Sequence, residues 1–194
     1  MEERRSISVL RAELLLLQGL VEEGEPLSAE ENTWALALAK NYRIDPITFT
    51  QREIIDELLL RVDLIPASLA LAQAANESAW GTSRFTILGN NIFGQWCYEA
   101  GCGIVPARRA PGAKHEVKAF DTVQQSVEAY FLNINTHDSY SYLRGLRAKM
   151  RERNLKLDPM SLAIGLGRYS QRGDGYVDEI QRIIIQNNLR ARDG

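Results

Sequence analysis

Apolar residues recur at helical spacing through most of this chain, and the breaks between the runs carry recognisable stop signals. Ile7 to Val21 is apolar every three to four positions and is ended by Gly24 and Pro26. Ser28, followed three residues later by Glu31, is a capping-box pattern that predicts a second helix through Trp34, Leu36 and Leu38 to about Tyr42. A third is expected from about Thr48 to Val62, with Ile54, Ile55, Leu58 and Leu59 inward. The next run, Ile65 to Gly81, differs in kind. It opens on Pro66, carries Ala or Leu on nearly every face and predicts a helix buried all round, stopping near Gly81.

Beyond Gly81 the period changes. Thr82 to Phe85 and Gly89 to Trp96 are rich in turn formers and aromatics, which predicts a loop entering a strand at Phe93 to Tyr98. Pro106 and Pro111 exclude a helix interior and suit an exposed lobe, while His115 to Phe120 alternates polar and apolar and predicts a strand. Asp121-Thr122 then caps a helix with Val123, Val127, Tyr130 and Phe131 inward, reaching about Asn135. Tyr140 to Arg153 is basic and amphipathic, read as a solvated cationic face packing on its Leu143, Leu146 and Met150 side. A short helix from Pro159 to Leu166, a polar loop from Arg168 to Tyr176 and a last helix from Val177 to Leu189 complete the chain. The pattern is that of an α+β, mainly helical protein with a small β-hairpin lobe inserted among helices.

One ionisable group stands in the second half of the apolar run: Glu77, in the last turn of the predicted helix, with Trp80 close behind. Burial disfavours a carboxylate, and so does the negative end of the helix dipole. Both favour the protonated acid, the form that can protonate a glycosidic leaving oxygen. A helix-end Glu paired to an Arg is the plain alternative, and Arg84 is near in sequence.

Composition narrows the partners. The 194 residues are 45% hydrophobic and 25% charged with net charge −2, an ordinary globular balance without the basic field that nucleic acids or anionic membranes attract. No stretch approaches the roughly 20 apolar residues of a membrane span. The opening Met1-Glu2-Glu3-Arg4-Arg5 lacks the apolar run of a secretory signal, so an envelope location would imply a leader already removed. Two cysteines, Cys97 and Cys102, are spaced for a bridge across a tight turn and equally for a free pair. They cannot complete a zinc site with the distant His115 and His137, so neither metal nor cofactor is expected.

The ordered set Asn76-Glu77-Ser78-Ala79-Trp80-Gly81-Thr82-Ser83, Asn90-Asn91-Ile92-Phe93-Gly94 and Arg168 to Val177 resembles the glucosaminidase domains of glycoside hydrolase family 73. The likeness is strongest to the Bax-type members and runs from about Val62 to Leu189. It implies a lysozyme-like fold, with residues 62–194 as the catalytic domain and residues 1–61 as an N-terminal helical extension packed on it. The implied activity is endo-β-N-acetylglucosaminidase cleavage of peptidoglycan glycan strands by a protein of the periplasm or cell envelope, expected to be a monomer. Glu77 matches the family's catalytic acid and Tyr169 its Tyr near the C-terminal helix. The β-lobe carboxylate of several members has no match in Val105 to Arg109; Glu116 is the nearest candidate, Glu99 a weaker one, and the substrate's own acetamido group is the remaining route. Trp80, Asn90, Asn91, Phe93, Trp96, Tyr98, Tyr130 and Tyr176 are the candidate substrate contacts, aromatic rings packing well on sugar faces. Two other readings stay open. One is a lytic transglycosylase, although the Gly-Leu-Met-Gln stretch of that group is replaced by Asn91-Ile92-Phe93-Gly94. The other is a wall-binding module without catalysis.

Overall fold

The computed structural model describes residues 2–167 and 173–193. Its helices are α1 (Glu2–Glu22), α2 (Ala29–Asn41), α3 (Gln51–Arg61), α4 (Ala67–Glu77), α5 (Arg84–Gly89), α6 (Val123–Thr136), α7 (Ser141–Glu152), α8 (Pro159–Ile164) and α9 (Asp174–Gln186). Strands β1 (Trp96–Cys97), β2 (Gly103–Ile104) and β3 (Glu116–Lys118) form an antiparallel sheet in the order β1-β3-β2. The fold is therefore α+β, mainly helical and lysozyme-like.

The chain divides into two compact units, the first running up to Leu64 and taking in Ile134–Leu157, the second formed by Ile65–Asn133 and the chain from Asp158 onward. In the first, Leu14 and Leu17 of α1, Leu38 and Ala39 of α2, and Ile54, Ile55 and Leu58 of α3 share one core. The capping box expected at Ser28 forms in both directions, and α3 begins with a second one, Thr50 with Glu53. The basic helix α7 departs from expectation. Arg144 and Arg147 are buried, not solvated. Arg147 donates to the carbonyls of Leu60, Arg61, Asp63 and Leu64 and to Asn135, and it lies 3.8 Å from the buried carboxylate of Asp63. The backbone carbonyls that Arg147 reaches are more than 80 residues away in sequence, out of reach of any local pattern, whereas Arg144 bonds the nearer carbonyls of Ile134 and His137.

In the second unit α4 packs against α8 and α9 and against a final 3-10 turn at Leu189–Arg192. Pro66 gives α4 no side-chain cap, and Asp193 supplies one from the far end of the chain, accepting from Ser68 N at 2.8 Å and Ser68 Oγ at 2.7 Å. The helix is not buried all round: Leu69, Ala72 and Gln73 face inward, while Leu71 is exposed. Two further corrections concern local elements. Residues 84–89 form a helix where a loop was predicted, because Ser83 caps its start and Asn90 ends it with a left-handed φ of 50°. Val123, expected inward on α6, is exposed, and the inward face begins at Ser126.

Candidate active site

The site is built at the end of α4. The helix stops at Glu77, four residues before Gly81, in a Schellman-type turn: Trp80 N donates to Ala75 O at 2.8 Å and Ala79 N to Asn76 O at 3.4 Å. Ala79 and Trp80 stand where glycine is usual, with φ of 51° and 58°, followed by Gly81 at 81°. Each left-handed non-glycine residue costs about 1–2 kcal/mol. Hydrogen bonds hold the turn against that cost. The buried Ser78 accepts from Gly81 N at its Oγ (2.7 Å) and from Ser83 N at its carbonyl (3.0 Å). Strain of this kind, kept by surrounding contacts, concentrates at functional sites.

Glu77 itself is half-buried. Tyr176, from the first turns of α9, donates its hydroxyl proton to Glu77 Oε1 at 2.8 Å. The same hydroxyl accepts from Gln73 Nε2 at 3.1 Å, and Gln73 Oε1 accepts from Tyr130 at 2.6 Å. Tyr130 is stacked on Phe93, ring centroids 3.7 Å apart and nearly parallel. Among the described residues no hydrogen bond reaches Glu77 Oε2. That oxygen lies on the side of Gly94, where a methyl group would come within 4.0 Å of it and where φ is +63°. Arg84, the alternative partner for Glu77, is turned away to Val105 O at 2.8 Å and lies over the Phe85 ring.

Glu116 is placed differently from expectation. It is 7% exposed, and its two oxygens accept from Gly101 N at 3.1 Å and Gly103 N at 2.9 Å. These amides, Gly101 first, hold its carboxyl below the usual glutamate range, with the Arg109 charge adding to the effect. The carboxylate serves as the clamp of the β1–β2 turn, whose ends are also joined by the Cys97–Cys102 disulfide.

The candidate substrate contacts separate into two groups. Trp80, Trp96 and Tyr98 are exposed, at 63%, 56% and 71%, with Trp96 stacked on His115. The contacts expected of Phe93, Tyr130 and Tyr176 meet buried side chains: Phe93 stacks on Tyr130, Tyr130 bonds Gln73, and Tyr176 bonds Glu77. Asn91 is 1% exposed and holds its loop closed: Nδ2 donates to Gln95 O and Lys118 O, and Oδ1 accepts from Gln95 N. Asn90 donates to Phe120 O and Asp121 O. Tyr169 lies outside the described residues. Gln73 was missed by the sequence reading, although a lone amide in an Ala/Leu run, four residues before Glu77 and so on the same helix face, was the available signal. Among the described residues no group of three or more His, Cys, Asp or Glu is placed to hold a metal ion, and no helix is long and apolar enough to cross a membrane.

A mainly helical lysozyme-like fold that presents a half-buried glutamate at a strained helix end, beside a three-stranded lobe, defines a glycosidase-type domain. The chain belongs to the glucosaminidase family: the family described as mannosyl-glycoprotein endo-beta-N-acetylglucosaminidase matches residues 53–189. It is similar to Protein bax of Escherichia coli (strain K12), 36% identical over 139 residues that cover 72% of this chain and 49% of that protein. The chain thus spans about half the length of this curated relative. No solved structure matches significantly.

Proposed function

We propose that this chain is a peptidoglycan hydrolase, an endo-β-N-acetylglucosaminidase that cleaves the bond following N-acetylglucosamine in cell-wall glycan strands, with Glu77 as general acid. The observation that carries the reading is the asymmetry of the Glu77 carboxyl. One oxygen is held by Tyr176, and the other is without a hydrogen bond among the described residues, available to a leaving oxygen. Family membership supports the reaction class. In this reading residues 62–194 carry the chemistry, residues 1–61 are a helical extension, the protein acts as a monomer in the periplasm or cell envelope, and no nucleic acid, metal or cofactor takes part.

Glu116 spends both oxygens on backbone amides, which argues against its service as base or nucleophile. Glu99, the weaker candidate, is exposed in the β1–β2 turn, and we take assistance by the substrate's own acetamido group as the route. Glu77 gives its proton to the glycosidic oxygen as the C1–O bond breaks, and the acetamido oxygen of the same sugar bonds to C1. Water then opens that ring, restores the acetamido group and returns a proton to Glu77. Trp80, Trp96 and Tyr98 are the rings exposed for sugar faces.

The test is product analysis on purified peptidoglycan. Reducing N-acetylglucosamine ends are expected. Anhydro-muramic ends would instead identify a lytic transglycosylase, and binding without new ends a wall-binding module.

A further inference from the structure

Four side chains form a directed chain of hydrogen bonds in the second unit. The Tyr130 hydroxyl donates to Gln73 Oε1 at 2.6 Å, so the Gln73 amide nitrogen is turned to Tyr176, to which it donates at 3.1 Å. Tyr176 has one proton, and it goes to Glu77 Oε1 at 2.8 Å. Gln73, Tyr130 and Tyr176 are all at least 96% buried, where a hydrogen bond is strong and a misdirected one is costly. The direction has a chemical consequence. Oε1 is occupied as an acceptor, so a proton on Glu77 belongs on Oε2, the oxygen beside the Cβ-free Gly94.

Resting on the reading of Glu77 as general acid, we infer that Gln73 is a positioning residue that acts through Tyr176: its amide, oriented by Tyr130, fixes Oε2 as the oxygen that carries the transferable proton. Reversing the amide would turn the Tyr176 proton toward Gln73 and leave Oε1 without its donor. The acid would then distribute its proton over both oxygens, one of them pointed at α9 and useless for a leaving group.

The experiment is a double-mutant cycle on the whole chain, with Gln73→Met and Tyr176→Phe, each alone and together, read as kcat and KM on purified peptidoglycan and as Tm. Gln73→Met is expected to lower kcat about tenfold, the worth of one such bond, with KM unchanged. In the Tyr176→Phe background the same change is expected to alter kcat by less than about twofold, because its route to Glu77 is already cut. Should Gln73→Met fail to fold, Tyr130→Phe removes the donor that orients the amide and keeps the ring on Phe93; its loss in kcat is likewise expected to vanish in the Tyr176→Phe background. Losses that multiply in an active parent, or a fall in Tm with kcat intact, overturn the positioning role alone. A parent inactive on peptidoglycan overturns the reading of Glu77 and the inference with it.

Discussion

Replacing Asp63 by Asn tests the charge network of the first unit without touching the candidate site. The Asp63 side chain is 2% exposed and receives Arg151 through two bonds, Nε at 3.0 Å and NH2 at 2.7 Å. Arg11 lies at 3.5 Å and the fully buried Arg147 at 3.8 Å. Burial pushes the Asp63 carboxyl up, and the Arg151 bond with the charges of Arg147 and Arg11 more than reverses it, leaving a net lowering. Burial likewise brings the Arg147 guanidinium down to about 10, with Asp63 working in the opposite direction. Asn keeps the shape and removes the charge, stranding three guanidinium groups together. Removing one partner of a buried pair costs about 3–5 kcal/mol, and Arg151, 34% exposed at its side chain, can partly rehydrate, which favours the lower end. For a chain of this size about 3 kcal/mol corresponds to a Tm lower by roughly 6–12 °C. Differential scanning calorimetry against pH gives a second reading. A carboxyl lowered in the folded state contributes stability above its unfolded value, near 3.8, and loses it as pH falls through the folded value. The parent should therefore lose stability below about pH 4 more steeply than Asp63→Asn. An unchanged Tm, or equal acid slopes in the two proteins, would refute the network.

Three shorter tests concern the β lobe and its loop. Glu116→Gln should keep kcat within a few-fold of the parent while sharpening the loss of stability by heat, and a fall in kcat of about a hundredfold or more would make Glu116 a catalytic group instead. The Cys97–Cys102 bond closes only a short loop, so reducing it should lower Tm by the equivalent of about 2 kcal/mol in the chain-entropy picture, measured with and without reductant. Asn91→Ala removes the partners of the Gln95 N–H and the Lys118 carbonyl and should cost about 1–3 kcal/mol in urea unfolding.

What could be read from the sequence was local. Ser28 with Glu31 announces its helix because both halves of the capping box lie within one turn. Glu77 stood out because an ionisable group at the end of an Ala/Leu helix is chemically conspicuous, and the same contrast applied to Gln73 would have found the relay. The short helix at 84–89 carried its own signals in Ser83 and Asn90, masked by the turn-forming residues around them. The rest is long-range. Arg147 is buried because Asp63 and the carbonyls at the end of α3 surround it, and Glu116 is committed because a turn 13 to 15 residues earlier presents two amides to it. Neither pairing leaves a trace in periodicity.

The central claim is that the Glu77 carboxyl delivers the proton that releases the glycan. Its most direct test compares Glu77→Gln with the parent on purified peptidoglycan, measured as turbidity loss with both proteins shown to have the same Tm. The parent should clear the suspension, and Glu77→Gln should do so on the order of 10²–10⁴-fold more slowly. Equal clearing by the two proteins, or none by either, would contradict it.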